Sequence, residues 1–184
     1  MPKPKRIPLE TKRRIVREAR AHFREHFSQV PERAACLFLA YCVMGAAENY
    51  GINLTLQAGS ASWERVPPWQ DDGVCSTHFS YVWEPDNPQT LERLMDGLMP
   101  EMHVWVGDPL RQEIVDVTTK DLVEQCKTLT GMDWPGAEPP NFIWATAKKA
   151  PRGTFYNVDE LATQVAAQML INVMTMTPPD EEGE

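Results

Sequence analysis

The stretch "AACLFLAYCVMGAA", residues 34–47, constrains this chain more than any other. Its apolar side chains go round every side of a helix, and such a helix has to be covered on every side. At about 14 residues it is short of the roughly 18 that a membrane span needs. It therefore predicts the central helix of a folded domain, from about Glu32 or Arg33 to Asn49, with Pro31 at or just before its first turn. A chain of 184 residues, 42% hydrophobic and 24% charged, can bury one core around such a helix. One domain over 1–184 is expected, with an irregular basic tail at 1–8, a core at 9–177 and an acidic tail at 178–184.

Other elements follow from spacing and punctuation. Ile15, Val16, Ala19, Phe23 and Phe27 fall at helical intervals from Leu9 to about Phe27, beside a stripe of Arg13, Arg17, Arg20 and Arg24. "INLTLQAG" (52–59) and "HFSYVWE" (78–84) read as strands, separated by a long loop at 58–76 that contains Trp63 and Trp69. Asn87-Pro88 opens a short helix with Leu91, Leu94, Met95 and Leu98 on one face. "MHVWVG" and "EIVDVT" form a hairpin. Thr119 is expected to cap a helix that ends at Gly131. A strand at "NFIWAT" follows, and then a capping box at Asn157–Glu160 that starts a last helix to about Met174. This order predicts an α+β fold, with helices layered on a largely antiparallel sheet.

Charge is uneven. The net charge of −8 conceals ten of the 18 Lys and Arg within residues 1–33, against four Glu there. Such a basic segment either docks on the acidic body or offers itself to an acidic partner. It lacks the aromatic interleaving and motifs of nucleic-acid binders, and nucleic acid is not expected as a partner. No apolar run suits a membrane, and none follows the basic N-terminus as in a secretion signal. Four cysteines without paired spacing point to reduced thiols and a cytoplasmic setting. Cys75 and His78 are too few for a metal site, so no metal and no cofactor are expected.

The hairpin carries the chemistry. If its loop is residues 107–112, His103 lies opposite Asp116, and directly opposed residues share a face about 4.5–5.5 Å apart. A slip of one residue would separate them onto opposite faces. A histidine oriented by a carboxylate is a base in want of a nucleophile. Cys36, near the head of the core helix, is the candidate, because a helix N-terminus and a neighbouring imidazolium both favour thiolate. Cys42 lies deeper and reads as core, and Cys126 as incidental.

A cysteine at the head of a core helix, followed by "HVW" and "IVDVT" on neighbouring strands, resembles the transglutaminase-like branch of the papain-like cysteine hydrolases. The resemblance covers about residues 33–118. It implies a papain-like core with added N- and C-terminal helices, and a Cys36–His103–Asp116 triad working through a thioester acyl-enzyme. The neighbours of the cysteine depart from the family pattern, with Ala34-Ala35 before it and Leu37 after it, and "DVT" stands where "DPT" is frequent. Gln29 and Gln57 are candidates to complete an oxyanion hole with the Cys36 N–H, and Trp63 and Trp69 to border the cleft. The substrate would be a peptide or another amide or ester. The alternative is an inactive relative that serves as a binding or adaptor protein through its basic N-terminal helix.

Overall fold

A computed structural model describes residues 4–30, 34–66, 77–96 and 98–176. Helix α1 (Leu9–His26) buries Ile15, Val16 and Ala19 on one stripe, as their spacing predicts. Two of its basic residues also turn inward. Lys12 Nζ donates to Glu113 at 2.9 Å and to the Trp144 carbonyl at 3.1 Å. Arg20 donates to the carbonyls of Val117 and Asn141. The arginine stripe is thus partly a docking face.

Helix α2 (Ala35–Glu48) is the apolar segment, with Leu37, Phe38, Leu39, Ala40, Cys42 and Val43 all buried. Residues 31–33 lie outside the described residues, so the expected role of Pro31 does too. Gly51, at φ 67°, closes the helix in a Schellman turn. Its N–H bonds to Glu48 O at 2.9 Å and that of Ile52 to Ala47 O at 3.1 Å.

Strand β1 (Thr55–Glu64) continues five residues beyond its expected end. Alternation carries it on, with Ala61 and Trp63 buried between half-buried Ser60 and Ser62. The first part of the expected 58–76 loop is therefore strand, and Trp63 is a core residue. Trp69, like the rest of 67–76, lies outside the described residues. Strand β2 (His78–Tyr81) is shorter than expected. Helix α3 (Pro88–Met95) starts as predicted, with Asn87 Oδ1 accepting the Gln89 N–H at 2.9 Å.

Strands β3 (His103–Asp108) and β4 (Glu113–Asp116) form the hairpin. A 3-10 turn (Thr119–Asp121) leads into α4 (Leu122–Thr130), which Gly131 ends at φ 72°. Thr119 does not cap: its hydroxyl donates to Pro140 O at 2.7 Å. Strand β5 (Ile143–Thr146) is as expected. Strand β6 (Thr154–Val158) was not anticipated, and it takes Asn157 into a strand. The cap of α5 (Glu160–Met176) is instead Asp159, whose Oδ1 accepts the Ala162 N–H at 2.9 Å.

All pairings in the six-stranded sheet are antiparallel, in the order β2-β1-β3-β4-β5, with β6 also on β1. Parts of α1, α2 and α5 share the larger core with Val104, Val106 and Val115 of the sheet. A second, smaller cluster joins Ala61, Trp63 and Phe79 to Leu122 and Cys126 of α4. The α+β class is as expected.

Gly59 is the point where β1 meets both the hairpin and β6. It pairs with His103 of β3 and Val158 of β6, at φ 153°. A Cβ there would lie 2.1 Å from Asn157 O. Gly59→Ala is expected to lower stability by at least about 1–3 kcal/mol through backbone strain. Chemical denaturation checks this; unchanged stability would mean that β6 can move away from β1 at little cost.

Candidate active site

The hairpin register differs from the expected one by two residues. Val106 pairs with Val115, Gly107 with Ile114 and Asp108 with Glu113, so the turn contains only residues 109–112, with Gln112 at φ 54°. Asp108 tightens it by accepting the Arg111 N–H at 3.0 Å and ion-pairing with the Arg111 guanidinium at 2.8 Å. Carried along, this register sets Asp116 opposite Trp105 and His103 one diagonal step away. An even slip keeps the side chains on their face, and the contact survives: His103 Nε2 lies 3.0 Å from Asp116 Oδ2.

Both partners are buried, His103 at 2% exposure and Asp116 at 1%. Asp116 tolerates this because four hydrogen bonds converge on its carboxylate. Oδ1 accepts the Thr118 N–H at 2.9 Å and the Thr118 hydroxyl at 2.7 Å, an Asx-turn built into the strand end. Oδ2 accepts from His103 and from the Tyr156 hydroxyl at 2.7 Å. Burial pushes the Asp116 carboxyl up, but the His103 charge and these bonds outweigh it and hold the acid below its usual range.

His103 is the link to the helix. Burial opposes its imidazolium, yet the Asp116 charge and hydrogen bond, with a hydrogen bond and charge from Cys36, raise it to about 9. Cys36 therefore lies close enough to bear on the imidazole. Cys36 is the second residue of α2, within its first turn, and is only half-buried. Cys42, one and a half turns on, is buried, and burial raises its thiol to about 11. Cys126 sits buried against Thr130 and the Met132 carbonyl.

Aromatic rings enclose the imidazole. Tyr81 stacks on it at 5.6 Å, Trp105 at 5.8 Å, and Trp63 meets it edge-on at 5.0 Å. Trp63 thus walls in the base; it does not form the loop border expected of it. Gln57 is turned to another task, its Oε1 accepting the Trp105 indole N–H at 2.9 Å while its amide packs over Gly107. It steadies a ring stacked on His103. Gln29 lines an apolar cavity of about 950 Å³ that also touches Ala34 and Leu37 at the head of α2. So the structure joins His103 to Asp116 with Cys36 acting on the imidazole, commits Gln57 to Trp105, and puts Gln29 on the wall of that cavity.

Tyr156 is absent from the residues that the sequence singles out, because it follows a stretch rich in proline and glycine (residues 132–153). The run "TFYNV" after Gly153 has the β-branched and aromatic composition of a strand and was the available signal.

The two shifts predict a pH window. The raised His103 value means that its contribution to stability is complete below about pH 6.5 and fades as pH rises through about 9. The lowered Asp116 value gives a contribution complete above about pH 4 and fading as pH falls. The pair should stabilise most between about pH 4 and 6.5. Urea unfolding of Asp116→Asn across pH 6.5 to 9 should show a shallower decline than the parent chain; equal slopes would detach the decline from this pair.

No family model matches the chain, and no curated protein matches it. A solved structure described only as a genomics crystal structure superposes with a TM-score of 0.51 at 13% identity. The match covers 92% of this chain and 73% of that one. At that identity the likeness is one of fold alone. The chain shares its α+β architecture with a protein whose description names no activity.

Proposed function

We propose that this chain is a cysteine hydrolase or acyltransferase with Cys36 as nucleophile, His103 as base and Asp116 as the group that orients the imidazole. One observation carries the reading: a buried His103 bonds to Asp116 through Nε2 and feels Cys36, in the first turn of α2. The order Cys, His, Asp, with the helix packed on an antiparallel sheet, also suits a papain-like core of the transglutaminase-like kind.

In this mechanism His103 takes the Cys36 proton and the sulfur attacks the acyl carbon of an amide or ester. The Cys36 N–H, in the first turn of α2, is placed to steady the developing oxyanion. The imidazolium then protonates the departing amine or alcohol, leaving a thioester on Cys36. Water or an amine, deprotonated by His103, attacks the thioester and frees the thiol. Hydrolysis and acyl transfer differ only in that last nucleophile. An apolar cavity lined by Ala34 and Leu37 opens at the head of the same helix and could take the hydrophobic part of a substrate.

The adaptor reading has less support, because Lys12 and Arg20 of the basic helix are engaged on the body of the protein. Exposed Arg13, Arg17 and Arg24 are what that reading would have to use. A direct test is to mix the full chain with p-nitrophenyl acetate and map the acetyl group by peptide mass spectrometry. Acetyl on Cys36, absent from His103→Ala, is the expected result. Labelling confined to surface lysines would overturn the assignment.

A further inference from the structure

We propose that Tyr156 is a positioning residue that locks the Asp116 carboxylate beneath His103 and sets the acid limit of the site, an inference that rests on Cys36 being the nucleophile. The geometry is specific. The Tyr156 hydroxyl donates to Oδ2 of Asp116 at 2.7 Å, the same oxygen that faces His103 Nε2. Thr118 holds only Oδ1, and does so from the same chain segment. Tyr156 comes from β6, which reaches β3 and β4 only by way of β1. Its bond therefore fixes the second carboxylate oxygen from an independent element.

The hydroxyl is itself aimed. Trp63 Nε1 donates to it at 3.2 Å, which occupies a lone pair and directs the phenol proton to Asp116. Trp63 is also the ring set edge-on to His103, so one side chain from β1 touches both the base and the clamp. Burial, and then the Asp116 charge, keep Tyr156 protonated well past its ordinary range, so it remains a donor in alkali.

The groups that face this carboxylate are His103 from β3, Tyr156 from β6 and Thr118 beyond β4. Cys36 of α2 acts through His103, and Arg20 of α1, itself near Asp121, feels the Asp116 charge. Without the phenol the carboxylate has one donor fewer and takes up a proton at higher pH. While still ionised, it also opposes a thiolate more strongly. A poorly held His103 would disfavour the thiolate as well. The last two effects act in one direction, raising the pH at which Cys36 loses reactivity on acidification.

The experiment is the pH profile of iodoacetamide alkylation at Cys36, read by peptide mass spectrometry in the full chain, for the parent, Tyr156→Phe and Trp63→Phe. Tyr156→Phe should move the acid limb up by about one pH unit, the size expected for one hydrogen bond to a charged group. Trp63→Phe, which removes the N–H that aims the phenol and trims the ring beside His103, should move it the same way by less, and it serves as the test if Tyr156→Phe does not fold. A parent profile that depends on His103, with limbs unmoved in the variants, would overturn the positioning role and leave the nucleophile assignment standing. A parent Cys36 that titrates like a free thiol overturns both.

Discussion

Replacing His103 with alanine is expected to slow acylation of Cys36 by an activated ester by roughly 10²–10⁴-fold, the usual contribution of a positioned base. Cys36→Ser should abolish thiol-dependent acylation altogether, since a serine hydroxyl at the same place ionises far less readily. The two losses should not add in the double variant, because the side chains act as one unit. Stopped-flow release of p-nitrophenol measures all three. The comparison with Cys42 sharpens the expectation. That thiol is buried in the same helix, raised to about 11, and should contribute no burst. A burst that persists in Cys36→Ser would place the reactive group elsewhere.

Asp116→Ala should produce the largest loss of stability of any single change at the site, about 3–5 kcal/mol. The substitution leaves a buried imidazole without its counter-charge, and strands the Thr118 hydroxyl and N–H and the Tyr156 hydroxyl without an acceptor. Unpaired buried donors cost about 1–3 kcal/mol each when nothing replaces the bond. Partial relief comes from His103 giving up its proton, which would appear as a weaker pH dependence in the variant. Guanidinium unfolding at pH 6, where both charges are present in the parent, is the sensitive condition. A loss below about 1 kcal/mol would mean that the pocket readily admits water or that the pair stabilises little.

The three side chains of the proposed site were legible because their signals lie in single elements. Cys36 stands at the start of an apolar helix, and His103 and Asp116 stand on two strands whose alternation sets the face. The register differs because a loop of residues 107–112 is longer than the four-residue turn that forms once Gly107 and Asp108 join the strand. Side-chain period two made that difference harmless, since a slip of two residues preserves the face. What was not legible depends on tertiary context. Gln57 reads as a free amide until Trp105 is set beside it, and Trp63 reads as a loop residue until β6 pairs with β1. Asn157 satisfied the pattern of a capping box, but β6 claimed it and the adjacent Asp159 supplied the cap. The expected inward turn of part of the basic segment could be only one of two options until Glu113 and the Trp144 carbonyl were placed around Lys12.

The measurement that bears most directly on the central claim is the rate of Cys36 alkylation by iodoacetamide at pH 6, compared between the parent chain and His103→Ala. An ordinary thiol, with a pKa of about 8.5, is almost wholly protonated there. If Cys36 and His103 work as a pair, the parent reacts at pH 6 nearly as fast as at pH 8, and the variant falls by on the order of a hundredfold. If Cys36 reacts alike in both proteins, or only after unfolding, His103 and Asp116 are a structural pair and the proposed chemistry is wrong.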